Sequence, residues 1–262
     1  MAMDFMISPS ASPELARRGQ LVARLAVNDD ERELAYRLRY HVFYEEGHAT
    51  ADAQTAARQQ DQDRFDAACD HLLLICPEAG LIGTCRLLRQ QAAQSGPGFY
   101  TAGEFDVAPL LARHPRLHFM ELGRSCIRAS HRSGPAAQLL WQAIWTYFRQ
   151  HKMDVMMGCA SLEGADPASH ALALGFLAAH CKAPADWDVK GKGHTVPLIP
   201  APQADLKSAL RALPPLLKGY VRLGAHIGSE AVIDAQFGTT DVFVALPLTR
   251  IDPRYFAHFG AP

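Results

Sequence analysis

Two charged residues set inside an apolar run constrain this chain more than any other feature. His118-Phe-Met-Glu-Leu-Gly-Arg-Ser-Cys-Ile127 has the composition of a buried strand, yet it contains Glu121 and Arg124. Charges in such a strand are costly unless paired or used, so the stretch reads as part of an active site. The basic residues Arg128, His131 and Arg132 follow, then Gly134-Pro135. Beyond them Leu140, Trp141, Ile144, Trp145 and Phe148 repeat at helical spacing, and proline suits the first position of that helix. A strand, a short basic loop and a helix whose first-turn N–H groups face that loop together form a site for an anionic group such as a phosphate.

With 262 residues and 48% apolar composition the chain can bury a full core, as one domain or one domain with an extension. A net charge of −1 supplies no basic field, and no nucleic-acid-binding motif is present, so nucleic acid is excluded as a partner class. The six cysteines include no C-x-x-C pair and sit mostly in apolar runs, and the twelve histidines show no metal-ligand spacing, so no metal site is expected. The residues from Met1 to Pro13 contain Asp4 and no apolar core, and no stretch approaches the roughly 20 apolar residues of a spanning helix. The expected location is cytoplasmic, with peripheral contact at the inner membrane as an alternative for the amphipathic stretch from Leu213 to Gly224.

Along the chain, Leu21 to Val27 reads as a strand, and Asn28 with Glu31 as a capping box opening a helix through about Tyr44. The segment 47–62 has no apolar period and reads as a mobile loop or weakly packed helix. His71 to Cys76 and Leu81 to Leu88 form a predicted hairpin, Met153 to Cys159 a further strand, Pro167 to His180 a helix, and Asp241 to Leu246 a last strand. This order predicts an α+β fold with a mixed sheet. Prolines between Pro184 and Pro202 suggest a core over 20–200 and a C-terminal extension over 201–262 packed on it.

That order resembles the GNAT acyltransferase fold. Arg39-Tyr-His-Val-Phe43, Asp63-Arg-Phe-Asp66, Asp70-His-Leu-Leu, Ile82-Gly-Thr-Cys-Arg-Leu87 and Glu121-Leu-Gly-Arg124 are similar to the pattern shared by acyl-homoserine-lactone synthases and N-acyl amino acid synthases. Glu121-Leu-Gly-Arg-Ser-Cys126, Gly158-Cys-Ala-Ser-Leu162, Leu213-Pro-Pro-Leu-Leu-Lys-Gly-Tyr220, Arg222-Leu-Gly-Ala225 and Asp241-Val-Phe ahead of Leu246-Pro-Leu resemble the ornithine N-acyltransferase family of ornithine-lipid synthesis. That family often carries the label "hemolysin-like". The resemblance runs from about Val22 to the C-terminus. It implies transfer of a 3-hydroxyacyl group from acyl carrier protein to the α-amine of ornithine. Acylation of another amine acceptor is one alternative, and a non-catalytic membrane-binding protein is another.

Thioester aminolysis needs a neutral amine and donors for the oxyanion, but no covalent intermediate. Glu121 is the candidate base, with Arg124 beside it. Residues three apart on a regular strand face opposite sides, so the two meet only if Gly123 marks a bulge, which is the expectation. Such a bulge would leave backbone N–H groups near Cys126 and Ile127 for the oxyanion. Arg128, His131, Arg132 and Gly134 are the candidates for the phosphopantetheine phosphate of the donor, and no resident cofactor is expected. The resemblance points to Arg39 and Arg86 for the carboxylate of the acceptor, and to Asp63 and Asp66 for its ammonium groups.

Overall fold

A computed structural model of the chain describes residues 5–7, 13–132, 134–201 and 205–251. In chain order the elements are β1 (Glu14–Arg18), β2 (Leu21–Leu25), α1 (Asp29–Tyr40), α2 (Ala53–Arg58), β3 (Asp70–Cys76), β4 (Gly80–Arg89), α3 (Gln90–Gln94), α4 (Ala108–Arg113) and β5 (Phe119–Ile127). They continue with α5 (Pro135–Gln150), β6 (Val155–Glu163), α6 (Ala171–His180), β7 (Thr195–Pro197), α7 (Leu206–Ala212), α8 (Pro215–Leu223), β8 (His226–Asp234) and β9 (Thr239–Pro247). The fold is α+β with strands of mixed direction, as expected. The described residues form two compact units: one takes in those through Pro97 and Leu122–Lys152, the other Gly98–Glu121 and residues 153–251.

In the first unit β1, β2, β3 and β4 pair in that order, all antiparallel. The run His-Leu-Leu-Leu-Ile-Cys in β3 is apolar without alternation because both α1 and α5 pack on β3 and β4. Ala35, Leu38 and Val42 of the α1 region meet Leu73, Leu81 and Cys126 in one buried cluster. The capping box opens α1 as the sequence predicts: the Asn28 side chain accepts from the Glu31 N–H at 2.9 Å. Its return bond goes elsewhere, since Glu31 accepts from the Val27 N–H at 3.0 Å and pairs with the buried Arg24 of β2.

The helix does not run as one α-helix through Tyr44. After Tyr40 it widens into a π-helical turn, His41–Glu45, in which the Glu46 N–H reaches the His41 carbonyl at 2.9 Å. The segment 47–62, expected to be loop or weak helix, contains α2, which is capped by Asp52 and buries none of its residues.

In the second unit the first three residues of β5 pair in parallel with β6, and β6, β9, β8 and β7 follow as antiparallel neighbours. The β6–β9 ladder is unbroken from Val155↔Pro247 to Glu163↔Thr239, so strands of the C-terminal extension are built into this unit's sheet. The amphipathic stretch forms α8, which spends Leu217, Tyr220 and Leu223 on the interior and ends at Gly224 in the left-handed conformation. Strands β1, β7 and β8 carry no apolar alternation strong enough to be read from the sequence.

Gly80 shows how tightly the first unit closes. It has φ +69°, and a Cβ there would stand 2.1 Å from the Phe5 carbonyl oxygen, whereas Gly98, at φ +83°, faces open space. Gly98→Ala should cost only the left-handed backbone strain of about 1 kcal/mol, and Gly80→Ala more than about 3 kcal/mol. Urea denaturation midpoints would check this, and equal shifts would contradict it.

Candidate active site

The first unit gathers three arginines and three aspartates into one buried network. Arg39 of α1 donates from Nε to Asp61 at 2.7 Å and from both terminal nitrogens to Asp66 at 2.7 and 3.1 Å. Arg86 of β4 reaches Asp63 at 2.6 Å and Asp66 at 3.2 Å, and Arg124 of β5 reaches Asp61 at 3.0 Å and Asp63 at 3.3 Å. Three cations therefore face three anions. The Arg39 and Arg86 side chains are 1% and 2% exposed and that of Asp66 1%, while that of Asp63 is 23% exposed. Of the four positions expected to hold the acceptor, three are thus sealed and one is open to solvent.

The Arg39 guanidinium holds the Asp66 carboxyl far below the usual carboxylate range against the opposing effect of burial. His71 of β3 packs beside them and donates from Nε2 to the Asp66 carbonyl at 3.1 Å. Burial, aided by Arg39, keeps its imidazole neutral and pushes its pKa down to about 4.

The backbone irregularity expected at Gly123 falls one residue later, where Arg124 adopts φ +49°. Only a strained, non-glycine conformation turns this side chain toward the aspartates. Downstream, Cys126 and Ile127 close β5, and the Cys126 carbonyl lies so near β4 that a Cβ on Gly83 would stand 3.0 Å from it. The Cys126 thiol, buried, is pushed up to about 12, opposite to what a nucleophile needs.

The basic loop is built as predicted, but its members have separate contacts. Arg128 donates to the Ala79 carbonyl at 3.3 Å and lies over the Phe5 ring, and His131 contacts the Ser130 hydroxyl at 2.8 Å. Arg132 bonds the Ile127 carbonyl and pairs closely with Glu46, whose other oxygen accepts from the Ala129 N–H at 3.3 Å. Gly134, at φ +98°, sets the entry to α5. A carboxylate of the chain thus occupies two of the loop's donors, Arg132 and the Ala129 N–H.

In the second unit Glu121 is 3% exposed and is the last residue of the β5–β6 ladder, opposite Met157. Its oxygens accept from the Tyr100 N–H at 2.9 Å and the Thr101 N–H at 2.7 Å, at the head of the 3-10 turn Tyr100–Gly103. That turn leads to Glu104, whose carboxylate offers an oxygen within 4.8 Å of others from Asp234 and Asp241, a donor set that could hold a cation.

Residues 38–142 match the model of an acetyltransferase (GNAT) domain. Over 256 residues, 94% of this chain and 91% of the other, the sequence is 48% identical to an L-ornithine N(alpha)-acyltransferase of Brucella abortus (strain 2308). The chain belongs to the L-ornithine N(alpha)-acyltransferase family. A second member, from Rhizobium meliloti (strain 1021), is 43% identical over 97% of this chain and 89% of its own length. Among solved structures, an N-acyl amino acid synthase from uncultured soil microbes aligns with a TM-score of 0.45 and 16% identity, over 87% of this chain and 91% of that chain. This member of the L-ornithine N(alpha)-acyltransferase family is an N-acyltransferase of GNAT type.

Reading the sequence of this family member found the network's Arg39, Asp63, Asp66, Arg86 and Arg124, and missed Asp61, Glu46 and Glu104. The signal for Asp61 was its place two residues before Asp63; Glu46 and Glu104 gave none, since each acts on partners brought together by the fold. The network generates a pH dependence. His71 has its pKa lowered from about 6.5 in the unfolded chain, so the stability it contributes is complete above pH 6.5 and is lost as pH falls toward 4, by roughly 3 kcal/mol. The depressed aspartates add a second loss below about pH 4. Denaturation free energies measured from pH 7 to 3 should show both arms, and His71→Gln should flatten the first and leave the second.

Proposed function

We propose that this chain moves a 3-hydroxyacyl group from the phosphopantetheine thioester of acyl carrier protein to the α-amine of L-ornithine, giving lyso-ornithine lipid. The observation that carries the reading is the Glu121 carboxylate, fixed by two backbone N–H groups at the last pair of β5–β6, in a chain 48% identical to an L-ornithine N(alpha)-acyltransferase. The ornithine amine is cationic near neutral pH and attacks only when neutral, so an oriented carboxylate is the base the reaction requires, acting directly or through one water. As the amine attacks, the carbonyl oxygen gains charge that the N–H groups of Cys126 and Ile127 would receive. Loss of the proton to Glu121 and departure of the thiolate complete the transfer, with no covalent enzyme intermediate and no resident cofactor.

Arg128, His131, Arg132 and the N–H groups after Gly134 would take the donor phosphate, which is the group that Glu46 now imitates. For the acceptor, Arg39, Arg86 and Asp66 would contribute by holding Asp63 and Arg124 in place, and Asp63 by direct contact. No helix among the described residues is long and apolar enough to cross a membrane. A cytoplasmic protein meeting the inner membrane at its surface would suit a lipid product.

Two substitutions test the assignments. Glu121→Gln should lower kcat by about 100-fold or more, with unchanged far-ultraviolet circular dichroism. Unaltered turnover would refute the base. Glu46→Gln should lower the KM for acyl carrier protein donor by about two- to fivefold by removing the competing anion, and a raised KM would place Glu46 in the loop's support instead.

A further inference from the structure

The second unit contains an acidic group that the acyl-transfer chemistry does not use. Glu104 follows the turn Tyr100–Gly103, Asp234 ends β8 and Asp241 stands on β9, with one carboxylate oxygen of each within 4.8 Å of the other two. Inside a protein, anions this close repel unless a proton or a cation lies among them. Asp241 is 4% exposed. Its Oδ1 and both oxygens of Glu104 are sealed from solvent and lack a well-formed hydrogen bond among the described residues, with the neutral Cys159 and Tyr100 beside Glu104 and Thr239 and Ser161 beside Asp241. The hydroxyls of Thr101, which is fully buried, and of Thr239 likewise make no well-formed hydrogen bond there. Buried acceptors left in this state are expensive, and several of them together mark a place where a donor is missing.

The charge balance has the same meaning. Burial and the neighbouring Asp241 push the Glu104 carboxyl well above the usual carboxylate range, and burial raises Asp241 too. The other groups acting on Glu104 are Cys159, Asp234 and Tyr100, all neutral or acidic. In the first unit, by contrast, each of Asp61, Asp63 and Asp66 is matched by an arginine. The cluster is also tied to the proposed base through a single turn. The Thr101 N–H donates to Glu121 at 2.7 Å, and its carbonyl accepts from the Glu104 N–H at 3.1 Å. Desolvation and the charges of Glu104, Asp241 and Glu121 all act on the half-buried Cys159.

We propose that Glu104, Asp234 and Asp241 form the pocket for the side-chain ammonium of a diamino acid acceptor, while Glu121 serves the α-amine. This rests on the acyl-transfer reading above and adds to it the feature that selects the acceptor. A primary ammonium supplies a positive charge and three N–H donors to this group of carboxylates; a divalent ion is the competing occupant, and titration separates the two.

The test is calorimetric binding of L-ornithine and of L-norvaline, which has the same carbon chain without the δ-ammonium, to the purified full chain and to Glu104→Gln and Asp241→Asn. Magnesium, manganese and calcium chlorides are titrated separately. The wild type should bind ornithine at least about tenfold tighter than norvaline, and in both variants that ratio should fall toward one. Equal binding of the two amino acids by the wild type, variants that weaken both in proportion, or a divalent ion bound in a Glu104-dependent way would each overturn the pocket. Acyl transfer from 3-hydroxyacyl-acyl carrier protein is measured in parallel. Charge-selective binding without transfer would leave the pocket standing and defeat the acyl-transfer reading. Transfer to ornithine and norvaline alike would do the reverse.

Discussion

The first unit is arranged around six charged side chains that pair with one another, most of them shielded from water and Asp63 open to it. Arg39 comes from α1, Arg86 from β4 and Arg124 from β5, and the aspartates from the short segment ahead of β3. Removing one partner from such a set leaves an uncompensated buried charge, at a cost of about 3–5 kcal/mol, so the network acts as a lock on the positions of four elements. The segment from Asp61 to Asp66 has little apolar content to hold it. It is fixed by its charges, and by the Asp63 N–H that bonds Asp66 at 2.7 Å. The left-handed backbone at Arg124 belongs to the same arrangement, because the strain is offset by two carboxylates.

The second unit follows a different electrostatic logic. Backbone N–H groups of a 3-10 turn bind Glu121 and fix its direction. A few residues on, Glu104 and Asp241 lie near each other with sealed oxygens that make no well-formed hydrogen bond and have only neutral or acidic groups acting on them. A protein tolerates unanswered charge where a substrate completes it, and the cationic acceptor of an ornithine N-acyltransferase has the charge that is missing.

Much of the fold was legible in the sequence because it depends on short-range patterns. The hairpin of β3 and β4, the cap of α1 at Asn28, the proline-led start of α5 and the amphipathic face of α8 are each written in fewer than twenty consecutive residues. The π-helical turn after Tyr40 was not legible, since it replaces a helix that the local pattern supports equally well. Strands β1, β7 and β8 were missed because pairing with neighbours, not alternation, defines them.

By itself the sequence determined the class of fold and the family. Only the tertiary structure decided which charges are partners. Arg39 and Asp66 are 27 residues apart in the chain, Arg86 and Asp63 are 23 apart, and Arg124 and Asp61 are 63 apart. No spacing rule links such positions, because ion pairing depends on distance in space and on the exclusion of water, and both exist only after the elements have packed.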